Sequence, residues 1–92
     1  MADEHQHRAA ERIRLELIEA DVEIGFSLVD SALGELHAGN VPFAQRALQD
    51  AEKVLIDVEE RLQGLDAEQS LPFGPLVDEL RKAVHAAESK CA

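Results

Sequence analysis

Apolar residues recur at intervals of three and four along three blocks of this chain, and breaks containing glycine and proline separate the blocks. This interval places the apolar side chains on one face of an α-helix, whereas a strand would require strict alternation. The first break, Gly39-Asn40-Val41-Pro42, combines a helix stop with a proline suited to a first helical turn. The second break runs from Gly64 to Pro75. The pattern therefore predicts helices over about residues 3–38, 42–63 and 74–90.

We expect these helices to form a single all-α domain over residues 1–92, an antiparallel up-down-up three-helix bundle with a long first helix. The composition favours helices over sheets, because the chain has three phenylalanines, no tyrosine and no tryptophan. A chain of 92 residues lies near the lower end of what folds alone, so the bundle depends on close packing of a small core.

The first block carries a broader apolar face than contact with one helix requires. One row of this face comprises Ile13, Leu17, Ala20, Ile24 and Leu28. A second row beside it comprises Ile18, Val22, Gly25, Val29, Ala32, Leu33 and Leu36. A face of this width usually contacts two neighbours.

The predicted helices also differ in length. At 1.5 Å per residue they would span roughly 50, 30 and 25 Å, so the second helix would return only as far as about Glu16. Residues before that point, including Ile13 and Leu15, would project past the bundle. Burial against a second copy would cover them, which predicts a homodimer with the first helix at its centre. The alternative is a monomer whose first ten residues are disordered.

The net charge of −10, from 19 acidic and 9 basic residues, limits the classes of partner. Phosphate backbones and anionic membrane surfaces would be repelled, so we expect neither a nucleic acid nor a membrane as partner. The acidity serves either solubility or the recognition of a basic partner.

The single cysteine and the start of the chain indicate a compartment. Cys91 is the only cysteine, so no internal disulfide can form, and a single thiol fits a reducing environment. The polar start does not read as a secretory signal, and no stretch approaches the ~20 apolar residues of a membrane span. We expect a cytoplasmic protein.

The region from Ala38 to Ala51 resembles the central turn and second helix of a tetratricopeptide repeat. Gly39, Ala44, Leu48 and Ala51 match the spacing of that family, and Leu28 and Ala32 suit the packing positions of its first helix. The usual Leu-Gly pair and aromatic residue are missing, since Ser31, Ala32 and Glu35 stand there. The match covers a quarter to a third of the chain and occurs once.

The microtubule-interacting-and-transport three-helix domain also resembles this stretch, and its overall size suits the chain better. Both resemblances imply a scaffold that binds helices or extended peptides in a groove between helices. A single tetratricopeptide unit does not form a solenoid, because each repeat buries its face against neighbours.

Catalytic and cofactor-binding motifs are missing from the sequence, so we predict neither an enzyme nor a cofactor. His37 suits the negative end of the first helix. His85 lacks the pattern that follows a phosphotransfer histidine. Glu4 and His7 form a Glu-x-x-His step, which with Glu19 and Glu23 could supply ligands to a di-iron carboxylate assembly of two chains.

The sequence favours a protein-interaction or structural module that self-associates or binds a partner helix. The predicted partner-binding residues are Ile13, Leu17, Ile24 and Leu28, with Phe73 at the end of the groove. The alternative is the metal-binding assembly formed by two chains.

Overall fold

The computed structural model describes the backbone of residues 2–91 and the side chains of residues 9–91. Its elements are α1 (Ala2–His37), α2 (Val41–Gln63), α3 (Ala67–Ser70), a 3-10 turn (Leu71–Phe73) and α4 (Gly74–Cys91). No strand occurs within the described backbone, so the all-α prediction is confirmed. The three long helices α1, α2 and α4 begin and end within one residue of the predicted bounds.

The turn between α1 and α2 depends on Gly39. Its φ of +87° lies in the left-handed region, where a side chain is strained. The Gly39 N–H donates to the carbonyl of Leu36, and the Asn40 N–H donates to the carbonyl of Glu35 at 2.8 Å. This pair of bonds is a Schellman motif, which satisfies carbonyls at the end of α1. The predicted helix stop is thus formed by the glycine itself.

The second connection contains more helix than the sequence indicates. Gly64 ends α2 with a φ of −80°, so it closes the helix without adopting a left-handed conformation. The Asp66 carboxylate then accepts a hydrogen bond from the Gln69 N–H at 2.9 Å and caps α3. Pro72 lies near the start of the 3-10 turn that leads into α4. The Asp66 cap therefore stabilises a short helix in a segment that the sequence pattern predicts to be a break between helices.

The core lies where α1, α2 and α4 pack together. Fully buried side chains are contributed by Ile18 of α1, Val58 of α2, and Leu80 and Val84 of α4. The remaining core residues are Val22, Val29, Ala32, Ala44, Ala47, Leu48, Ala51, Leu55, Val77 and Ala87. The core therefore draws on the second apolar row of α1 and on the apolar stripes of α2 and α4.

Contacts between distant residues define how the helices meet. Asp21 of α1 pairs with Arg61 of α2, 40 residues further along the chain. A Cβ atom at Gly25 would lie 2.8 Å from a methyl carbon of Leu80, so α1 and α4 approach closely there.

A second polar contact joins α2 to α4. Arg81 Nη2 donates to Glu59 Oε1 at 2.6 Å, while Arg81 Nη1 donates to Asp78 at 3.2 Å. The hydrogen bond to Glu59, together with the charge of that carboxylate, raises the pKa of the Arg81 guanidinium. Arg81 is therefore a cation at every accessible pH.

The molecule is elongated. Its principal extents are 57 × 19 × 14 Å and its Cα radius of gyration is 15.7 Å. A compact chain of this length has a radius of gyration of about 12 Å. At 1.5 Å per residue, α1 by itself extends for about 54 Å and accounts for this shape.

Candidate protein-binding face

Helix α1 carries a continuous exposed stripe that contacts neither α2 nor α4 closely enough to be buried. We call this stripe the outer seam. It comprises Ala10, Ile13, Leu17, Ala20, Ile24, Ser27, Ser31 and Gly34, all of them exposed and none of them charged.

Three large apolar side chains of the outer seam are about half exposed to solvent. Ile13 is 56% exposed, Leu17 is 46% exposed and Ile24 is 49% exposed. Scattered exposed apolar residues are normal on a protein surface, whereas contiguous rows of them are frequent at interaction sites. These three lie on one face of one helix, and they therefore form such a row.

The spacing of the outer seam is that of a coiled coil. Successive positions alternate between steps of three and four residues from Ala10 to Gly34, a length of about 36 Å. This alternation has a mean period of 3.5 residues, which keeps a stripe in continuous contact with a second, supercoiled helix. The buried row of α1 has the same alternation, from Ile18 through Val22, Gly25 and Val29 to Ala32. Helix α1 thus presents two such stripes, and the bundle covers one.

Shallow grooves flank the outer seam on the surface of the bundle. One is lined by Arg14 and Leu17 of α1 with Glu60, Arg61 and Gly64 at the end of α2. A second follows the seam itself, past Ala20, Ile24, Ser27 and Ser31. The first groove places Gly64, which ends α2, near Leu17 of α1.

The two edges of the outer seam differ in charge. One edge carries Glu16, Glu23 and Asp30, seven residues apart and exposed. We call this row the acidic edge. Among the described side chains, the salt bridges include none of these three carboxylates.

The opposite edge carries Arg14, Asp21, Leu28 and Glu35. Asp21 pairs with Arg61, and Glu35 accepts a hydrogen bond from Asn40 at 3.1 Å. Leu28 packs against the core. Of the charges on this edge, Asp21 is compensated by a salt bridge within the chain, whereas no described cation pairs with the three carboxylates of the acidic edge.

The predicted partner-binding residues fall into two groups. Ile13, Leu17 and Ile24 lie together on the outer seam, whereas Leu28 and Phe73 are partly buried and pack against the core. The structure thus brings three of the five residues together on one exposed face. Leu28 points inward because it lies one position beyond the seam, toward α2.

Four seam residues were missed by the sequence reasoning. They are Ala10, Ser27, Ser31 and Gly34, which are small and either polar or weakly apolar. A search for large apolar residues passes over them. The signal that could have found them is the unbroken alternation of three and four, without a charged residue, through eight positions.

The side chains of Glu4 and His7, proposed above as metal ligands, lie outside the described side chains. Glu19 and Glu23 are exposed on α1. Over the described part of the chain, no three histidine, cysteine or acidic side chains are placed to hold a metal ion. The di-iron alternative therefore stays a prediction.

A groove between α2 and α4 is lined by Gln45, Gln49, Glu52, Glu88 and Cys91, together with the core residue Leu48. The Oε1 atom of Glu88 is buried there without a hydrogen-bond partner. His85 is exposed on α4, and His37 lies in the last turn of α1.

Comparison with protein-family models, with curated proteins and with solved structures finds no match to this chain. The resemblance to tetratricopeptide repeats and to microtubule-interacting-and-transport domains therefore stays a prediction. Of the helices within residues 2–91, none combines the length and the apolar character that crossing a bilayer requires.

Proposed function

We propose that this protein is a non-catalytic interaction module that binds one further helix along the outer seam of α1. The bound helix comes either from a second copy, as the length argument predicts, or from a different protein. The observation that carries the proposal is the row of exposed Ile13, Leu17 and Ile24 on an uncharged face with coiled-coil spacing.

The energy available at the outer seam supports this proposal. Complete burial of a leucine or isoleucine side chain contributes about 1.5–3 kcal/mol. Ile13, Leu17 and Ile24 are about half exposed, so a docked helix would gain about 1 kcal/mol from each. The small residues Ser27, Ser31 and Gly34 would leave room for large side chains of the bound helix. A seam of this kind suits a reversible complex rather than a permanent one.

The proposal includes the arrangement that keeps the outer seam open, an antiparallel up-down-up bundle. The Asp21–Arg61 pair and the contact of Leu80 with Gly25 support it, because both join residues of α1 to residues at a matching level of α2 or α4. In this arrangement α2 and α4 cover the same side of α1. The outer seam lies on the other side of α1, and only its Leu17 region borders the end of α2.

The first prediction compares two isoleucines of equal exposure. Ile24→Asp places a charge at the centre of the outer seam, while Ile56→Asp makes the same change on α2, where Ile56 is 50% exposed. Ile56 continues the row of Gln45, Gln49 and Glu52, which faces α4 rather than α1. Both variants should remain helical and lose at most about 1 kcal/mol of unfolding free energy, as is usual for exposed sites.

Binding should separate the two variants. We expect Ile24→Asp to lose binding at the outer seam. Fluorescence anisotropy measures this loss for a helix of another protein, and light scattering measures it for a second copy. Ile56→Asp should bind like the unaltered protein. Equal binding by both variants would show that the outer seam is not the docking face. Unfolding of Ile24→Asp alone, measured by circular dichroism, would place Ile24 in the core and also contradict the proposal.

A further inference from the structure

We infer that the occupant of the outer seam is an amphipathic helix of another protein that carries lysine or arginine at every seventh position along one edge. This inference rests on the proposed function and adds the chemistry of the partner. It follows from the charges beside the outer seam and from the pairing that a second copy would impose on them.

The acidic edge is a row of unsatisfied charges at the border of an apolar stripe. Glu16, Glu23 and Asp30 are exposed, and within the described residues no cation pairs with them. They lie one heptad apart, or about 10 Å along the helix axis. In coiled coils, charged residues at the borders of the seam set partner choice and orientation. Three acidic residues at intervals of seven therefore favour a partner helix with three basic residues at the same interval.

A second copy cannot supply these bases in either orientation. In an antiparallel pair the acidic edges of the two copies face each other, so carboxylates oppose carboxylates. In a parallel pair Glu16 would face Asp21, which already pairs with Arg61, and Asp30 would face Glu35. Glu23 would face Leu28. No acid of the row meets an uncompensated cation, and the net charge of −10 on each copy adds to the repulsion.

The side chains of the outer seam also determine the shape of the partner. Its large residues, Ile13, Leu17 and Ile24, lie among its first five positions, and its last three positions, Ser27, Ser31 and Gly34, are small. A partner helix would fill the space at these last three positions with its own large side chains, because a gap there would forfeit contacts. The matching helix therefore has large apolar residues opposite Ser27, Ser31 and Gly34.

The test uses two synthetic helices of about 28 residues, or four heptads, labelled with fluorescein. Both carry the same leucine and alanine seam. One has lysine at every seventh position along one edge, and the other has glutamate there. At about 0.1 M salt, where the Debye length is about 10 Å, the lysine helix should bind the unaltered protein about tenfold or more tightly than the glutamate helix.

Charge reversal then locates the preference. The triple variant Glu16→Lys, Glu23→Lys, Asp30→Lys should bind the glutamate helix more tightly than the lysine helix. The control variant Glu52→Lys, Glu68→Lys, Glu79→Lys makes the same net change at exposed sites on other helices. It should keep the preference for the lysine helix, because its acidic edge is intact.

Each outcome decides between the two proposals. If both triple variants lose the preference for the lysine helix equally, that helix is attracted by the net charge of the protein and not by the acidic edge. This result would overturn the inference. Binding of both helices with equal affinity, abolished by Ile24→Asp, would overturn the inference but leave the docking function intact. If the unaltered protein forms a dimer that Ile24→Asp dissociates, a second copy occupies the outer seam. That result would also overturn the inference and leave the docking function intact. Binding of neither helix, without self-association, would contradict both proposals.

Discussion

Gly25 brings the backbone of α1 directly against α4. A Cβ atom there would lie 2.8 and 3.1 Å from the two methyl carbons of Leu80, which is completely buried. The methyl groups of a leucine side chain can usually rotate away from a new Cβ atom. In a close-packed core, however, Leu80 has neighbours on all sides. The absence of a side chain at Gly25 is therefore part of the packing of α1 on α4. Its role is steric and does not depend on an unusual backbone angle.

This contact predicts opposite effects of one substitution at two sites. Alanine is favoured over glycine by about 1 kcal/mol in the middle of a helix, while overpacking a core costs about 1–3 kcal/mol. Gly34 has open space around it, so Gly34→Ala should raise the unfolding free energy by up to about 1 kcal/mol. Gly25→Ala should lower it relative to Gly34→Ala by at least about 1 kcal/mol in urea denaturation. Equal stabilisation by both changes would show that Leu80 moves without cost.

At the scale of elements, the connections decide how the three long helices can meet. The turn after α1 is tight, because Gly39 adopts a left-handed conformation and closes the helix with two backbone hydrogen bonds. The connection after α2 is longer and contains α3, which is capped by Asp66. A tight first turn places α2 directly beside α1. The longer second connection gives α4 room to lie against both.

The left-handed turn can be tested by substitution. Gly39→Ala should lower the unfolding free energy by about 1 kcal/mol, because an alanine in this conformation is strained. Gly39→Asn should lose less, since asparagine tolerates the conformation better. Gly34→Ala is the control, because Gly34 lies inside α1 with open space around it. Thermal unfolding of the three variants measures the effect, and equal stabilities for Gly39→Ala and Gly34→Ala would contradict it.

At the scale of the whole molecule, α1 is longer than the helices that pack on it. The elongated shape, with a longest extent of 57 Å, leaves one long face of α1 in solvent. A helix that is apolar on two sides and covered on one is unusual for a monomer, because exposed apolar rows favour association. The outer seam is therefore the surface on which we propose that a partner helix docks.

The acidic edge predicts the oligomeric state of the protein alone. Without another partner and at about 0.1 M salt, where the Debye length is about 10 Å, light scattering should give the monomer mass of 10.1 kDa. Twice that mass would show that a second copy occupies the outer seam, as the length argument predicts. In that case Leu17→Asp should restore the monomer mass without loss of helicity, since Leu17 is 46% exposed.

The sequence by itself determined the three long helices and the exclusion of strands, because local spacing and the glycine and proline breaks act within a few residues of the chain. Gly39 and the second apolar row of α1 could be predicted for that reason. Four of the eight seam positions could be predicted as well, namely the large residues Ile13, Leu17 and Ile24 together with Ala20.

Only the tertiary structure decided which of the two apolar rows on α1 is covered. Both rows have helical spacing, so the pattern does not distinguish between them, and the choice depends on the side from which α2 and α4 approach. The same packing draws Leu28 and Phe73 toward the core and leaves Ser27, Ser31 and Gly34 in the open seam. It also pairs Asp21 with Arg61, whereas no described cation pairs with the carboxylates of the acidic edge. Contacts between residues far apart in the chain determine these features, and the spacing of residues along the chain does not predict such contacts.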